Sequence, residues 1–121
     1  MTQLATEWLL GELRHVTDRP VVTLVPRKAT PLLVRVDAGA FTATSPASQA
    51  GLVALQVYGD DLDETVDLIL SLREYLLDGV FHNDAKLLGW EEEAGPHVFP
   101  DPDIPDKHRW QITGQLTATL T

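Results

Sequence analysis

Apolar residues recur along this chain with two different periods, and the changes of period mark its elements. Leu4, Trp8, the Leu9/Leu10 pair and Leu13 fall at helical spacing. They predict a first helix with its body over 3–16, capped by Thr2 and ended by Asp18 and Pro20. Val21-Val22-Thr23-Leu24-Val25 is a β-branched run and reads as a strand, with 26–31 as the connection after it. In a second strand over 32–36, Leu32, Val34 and Val36 share one face and Arg35 points away. Residues 37–50 show no period and are rich in Gly, Ser, Thr and Pro, which predicts a long loop. Phe41 stands out in it as a large apolar residue in a polar setting.

Period 2 returns at Val53, Leu55 and Val57, a third strand closed by Gly59 and Asp60. Asp61 then caps a second helix, with Glu64 three residues on in a capping-box-like arrangement. Its apolar stripe is Leu62, Val66, Ile69, Leu72 and Leu76, widened by Leu68, Tyr75 and Leu77, and Gly79 suits a left-handed stop. A fourth strand over 86–93 places Leu88 and Trp90 on one face. Residues 100–106 hold three prolines and exclude helix or central strand. The cleanest alternation comes last: Trp110, Ile112, Gly114, Leu116, Ala118 and Leu120 against polar neighbours. The order helix, three strands, helix, two strands predicts an α+β fold. An antiparallel sheet of about four to five strands carries both helices on one face.

Composition narrows the setting. The 121 residues fit one domain spanning 1–121, with 44% hydrophobic residues to fill a core. The absence of cysteine excludes disulfides and thiolate metal sites. The N-terminus carries no basic region, its longest apolar run is Trp8-Leu9-Leu10, and no stretch approaches the ~20 apolar residues of a membrane helix. A cytoplasmic protein without a membrane anchor is the expectation. The net charge of −9 argues against a phosphate-gripping surface. It is compatible with lining a channel through which DNA slides, because an acidic wall repels a polyanion.

Little catalytic chemistry is visible. None of His15, His82, His97 and His108 forms a zinc-hydrolase spacing, and a loop histidine beside an aspartate, as at His82/Asp84 or Asp106/His108, is more often solvated than a ligand. Asp101, Asp103 and Asp106 lack the glycine and distal glutamate of a calcium loop. The dense acids Asp60, Asp61, Asp63 and Glu64 sit where a helix N-terminus favours negative charge, so capping explains them. No nucleophile elbow or phosphate-binding glycine motif is present. A non-enzymatic protein without cofactor or metal is expected. Glu91-Glu92-Glu93 alternates across its strand, so at least one carboxylate faces away from its neighbours. That is an ordinary solvated strand end, or in a ring a lumen wall.

The last third of the chain carries a resemblance. Glu91-Glu92-Glu93-Ala94-Gly95-Pro96, the Pro100-Asp101-Pro102 turn and Arg109-Trp110-Gln111-Ile112-Thr113 are similar to the tail terminator (tail completion) proteins of siphophages, particularly those infecting actinobacteria. There an acidic-Gly-Pro stretch precedes a Pro-Asp-Pro loop, and an Arg-aromatic pair opens the final strand. Val34-Arg35-Val36 and Leu55-Gln56-Val57-Tyr58-Gly59-Asp60, followed by a helix, resemble the family's earlier elements. The resemblance implies a small α+β subunit in a six-membered ring on the head-proximal end of the tail tube. That ring stops tube polymerisation and offers a docking face to the head. The implied partners are copies of itself, the tail tube protein and a head-completion (neck) protein. DNA passes through without specific binding, and the location is the virion, after assembly in the host cytoplasm.

A closed ring repeats one heterologous interface and so needs two unlike patches per subunit. Arg27, Lys28 and Phe41 are candidates for one. Pro100, Asp101, Pro102 and Arg109, on the 100–106 loop and the last strand, are candidates for the other, and Glu91, Glu92 and Glu93 are candidate lumen acids. A head–tail connector, or a small ligand-binding α+β domain using His82, Asp84, His97 or His108, are the alternatives. A charged residue at Phe41 is expected to spare the fold and impair assembly, and Ile69→Asp to unfold the chain.

Overall fold

The C-terminal alternation folds as its period predicts, into strand β6 (His108–Thr119), with Ile112, Leu116 and Ala118 fully buried on one face. The computed structural model describes residues 4–26, 30–83 and 86–120. The proposed cap Thr2 lies outside them. The chain runs α1 (Ala5–Val16), β1 (Val21–Val22), β2 (Leu32–Ala38), β3 (Thr42–Ala43), β4 (Ser48–Gly59), α2 (Leu62–Leu77), a 3₁₀ turn (Gly79–His82), β5 (Leu87–Val98) and β6. The sheet order is β1-β2-β4-β6-β5, with β3 paired to the start of β4. The fold is α+β, and its sheet has six strands rather than four to five. All pairings are antiparallel except β1 with β2, which is parallel.

One sheet face takes both helices. Leu9 and Leu13 of α1 and Ile69, Leu72 and Leu76 of α2 pack on Val34 and Val36 of β2, Val53, Leu55 and Val57 of β4, and Ile112 and Leu116 of β6. Each such side chain, fully removed from water, contributes roughly 1.5–3 kcal/mol. The stripe on α2 sits slightly differently from its expected course. Its buried line is Thr65, Ile69, Leu72 and Leu76, whereas Leu62 and Leu77 are exposed. Thr65 is accommodated because its hydroxyl donates to Asp61 O at 2.7 Å and because Gly59 opposite has no side chain; a Cβ there would collide with Thr65 Oγ1. The Asp61 carboxylate caps the helix by accepting from Asp63 N–H at 3.1 Å, while Glu64 remains exposed.

Four further expectations are corrected. The segment 37–50 is mostly a hairpin, not a loop. Its polar side chains close the turn: Ser45 Oγ meets Ser48 Oγ at 2.7 Å and accepts from Ala47 N–H at 3.1 Å. The first strand keeps only Val21 and Val22. Gly79 has no positive φ and opens a 3₁₀ turn instead; it is small because the Tyr75 ring lies 2.6 Å from where its Cβ would be. Leu88 and Trp90 do not share a face. A bulge between Leu87 and Gly89 opposes two β5 residues to one on β6. Leu87 and Trp90 therefore both turn inward, and Leu88 is exposed.

A candidate assembly surface

On the sheet's second face, alternate residues of β2, β4, β6 and β5 align in cross-strand rows, and among the described residues no helix covers them. One row is Leu33, Tyr58 and Arg109; the next is Arg35, Gln56, Gln111 and His97; a third is Leu52, Gln115 and Glu91. The second row is a hydrogen-bonded ladder. Gln56 Nε2 donates to Gln111 Oε1 at 2.8 Å, and Arg35 donates to Gln56 Oε1 at 3.1 Å and to Thr23 O at 3.2 Å. Gln56 is almost wholly buried, and this pairing offsets the cost of desolvating its amide.

The first row is roofed by the 99–107 loop. Tyr58 Oη donates to Asp101 Oδ2 at 3.1 Å, and Asp101 Oδ1 accepts from Asp103 N–H at 2.9 Å, holding the loop's turn. The Arg109 guanidinium lies 4.6 Å from the Phe99 ring centre and 5.3 Å from that of Tyr58, with a nitrogen 3.8 Å from Asp101 Oδ2. Burial raises the Tyr58 pKa above its ordinary value; the Arg109 charge opposes the shift and the Asp101 hydrogen bond adds to it. Lys107 Nζ fastens the loop's end to Thr30 O at 2.8 Å and to the Asp60 carboxylate.

The sequence-predicted residues fall into distinct groups. Pro100 and Pro102 are exposed. Asp101 and Arg109 are brought together, but as an internal buttress: their side chains keep only 16% and 11% exposure. Phe41 is partly buried, packing against the core with its ring 2.8 Å from where a Cβ on Gly51 would be. Glu92 lies on the helix face, where Arg73 binds both its oxygens at 2.9 Å. Glu91 and Glu93 are exposed and form no ion pair among the described residues. Arg27 and Lys28 lie outside the described residues, as does Asp84. His97 is held by its own strand, Nδ1 lying 2.7 Å from Gly95 O, and its ring meets that of Phe99 edge-on at 6.2 Å. Among the described residues no three of His, Asp and Glu converge as metal ligands.

Sequence reasoning missed the exposed Leu24 and Leu52 and a depression of about 320 Å³ on the open face. Leu52, Ala54, Asp37, Glu93 and Thr113 are among the residues that line it. Leu52 precedes the alternation that marked the third strand, and the structure places it on β4, on the face that no helix covers among the described residues. No helix among the described residues is long and apolar enough to cross a membrane. No protein-family model matches the chain, and no curated protein matches it either.

Proposed function

We propose that this chain is a non-catalytic assembly protein that caps the head-proximal end of a long phage tail tube as a closed ring. It ends tube polymerisation there and provides the surface on which the head docks. The observation that supports this reading is where the resembling residues gather. The acidic-Gly-Pro stretch is the middle of β5, the Pro-Asp-Pro turn leads out of it, and Arg109 begins β6. Asp101 and Arg109 then close on Tyr58 of β4. The motif thus builds one rigid unit beside an uncovered sheet face. A ring subunit needs such a surface, fixed in shape and free to be covered by a neighbour. The subunit's charge of −9 keeps DNA moving through the ring rather than holding it.

The test is electron microscopy of tails from a phage lacking this gene. Overlong or ragged tubes beside full heads support the reading. Tails of normal length that fail to join heads replace it with a neck or connector protein, and intact infectious particles overturn the assembly role.

A further inference from the structure

The charge on this chain is strongly divided. Residues 14–35 hold five of the nine basic residues and one of the eighteen acids, a net of +4, so the remainder carries −13. The described part of that segment holds the end of α1, β1 and most of β2, at one border of the sheet, while Arg27 and Lys28 lie outside the described residues. The other border is β5, with Glu91 and Glu93. Five strands at about 4.8 Å spacing put these borders roughly 19 Å apart.

An exposed apolar residue lies at the first border, and a second lies on the open face of the central strand β4, in line with the acids of the other border. Leu24 is 76% exposed, just after β1, and the exposed Arg14 and Arg19 flank that border without an ion pair among the described residues. Leu52 is 57% exposed on the open face, in the same cross-strand row as Glu91, and lines the depression that Glu93 bounds. One patch is apolar with basic neighbours and the other apolar with acidic neighbours. Two such patches at separate places on one molecule are complementary to each other, and neither is complementary to itself. That pairing favours a head-to-tail contact over a two-fold one.

Resting on the ring reading above, we propose that the partner of the Leu52/Glu91/Glu93 patch is the Leu24/Arg14/Arg19 patch of a second copy of this chain. The contact is made by side chains and does not extend the sheet. β1 offers two residues, and β5 is irregular, with register shifts in its pairing to β6, two exposed glutamates and Pro96, features that disfavour a strand from adding. Glu91 and Glu93 therefore bind a neighbouring subunit, and the lumen is lined by other residues.

The chain has no cysteine, so engineered disulfides can read the contact directly. Leu24→Cys/Leu52→Cys is oxidised beside a control, Leu52→Cys/Asp67→Cys, with Asp67 exposed on α2; circular dichroism verifies folding of each. The expected result is a covalent ladder for the first pair only, with the 24–52 disulfide identified by peptide mapping. Adding Glu91→Lys/Glu93→Lys abolishes the ladder, and adding Arg14→Glu/Arg19→Glu as well restores it. Linking no greater than the control, or a ladder indifferent to the lysines, overturns the proposal. If sedimentation shows the unmodified chain forming a closed oligomer without a 24–52 link, this contact falls and the ring stands. A 24–52 ladder together with normal tails from the deletion phage upholds the contact and removes the terminator reading.

Discussion

Arg73 on α2 grips Glu92 on β5 through two parallel hydrogen bonds, Nε to Oε1 and Nη2 to Oε2, both 2.9 Å. The fork ties a helix to the edge strand of the sheet, and Glu92 in turn pushes the Arg73 pKa up. Glu92→Gln and Arg73→Ala are each expected to lower the melting temperature. Arg73→Lys should not rescue it, because an ammonium cannot make the two-pronged contact. The loss should shrink in high salt, since Arg73 is partly exposed and its charge is screened. Thermal melts at low and high ionic strength decide it; equal loss at both would mean packing matters here, not charge.

Two tyrosines should respond oppositely to losing their hydroxyls. Tyr75 Oη is buried with no hydrogen-bond partner among the described residues, whereas Tyr58 Oη is bound by Asp101. Removing an unsatisfied group recovers its desolvation cost, so Tyr75→Phe should be stabilising by about 1 kcal/mol. Tyr58→Phe should cost about 1–2 kcal/mol, because it also leaves a carboxylate short of a donor. Urea denaturation of both variants checks the opposite signs.

The same tyrosines set an alkaline limit. Burial raises both pKa values above 10.0, with the Glu12 charge adding to the effect at Tyr75. Above about pH 10 the unfolded chain releases tyrosine protons that the folded chain retains, so unfolding gains and stability falls as pH rises. Below pH 10 both states hold these protons, and the tyrosines add no slope. Melting temperature followed from pH 8 to 11 should turn down near pH 10, and less so in Tyr75→Phe.

Gly114 should not tolerate a methyl group. A Cβ there would lie 2.6 Å from Glu91 O and collide with the Trp90 indole. The obstacle is backbone as well as side chain, so relaxation is limited. Gly114→Ala should cost about 1–3 kcal/mol, read as a lower urea midpoint at unchanged slope.

A charged side chain distinguishes core from surface at two further positions. Ile69 is fully buried, so Ile69→Asp should unfold the chain, seen as loss of the folded circular dichroism signal. Phe41→Asp is expected to lower stability as well as any assembly, because the ring packs on Gly51 and the core. A Phe41→Asp protein with unchanged melting temperature would restore the ring to the outer surface.

These two positions show what the sequence could and could not say. Ile69 was legible because a long helix repeats its period several times, so exposed leucines at its two ends, Leu62 and Leu77, do not blur the line. β6 was legible for the same reason at period 2. Phe41 was not, because its partner is a glycine across a hairpin, and a glycine leaves no mark in an apolar pattern. The hairpin itself was hidden by Thr44, Ser45 and Ser48, whose hydroxyls close the turn while reading as loop polarity. At the candidate surface, the Asp101–Arg109 pairing was foreseen only as two neighbouring candidates. Their shared partner Tyr58 is more than 40 residues away in sequence, and only the antiparallel register brings it to them.

The bulge at Leu88 makes β5 forgiving of changes in its own length. Leu87 opposes Ala118 and Gly89 opposes Thr117, so Leu88 is the surplus residue between two positions already in step. Without it, Leu87 and Trp90 would still face inward by simple alternation. A deletion at that point would leave both the interior and the acidic rim in place, whereas the same event in the unbroken middle of β4 would turn one half of the strand inside out. Related chains can therefore differ in the number of residues before the glutamates and still present the same face.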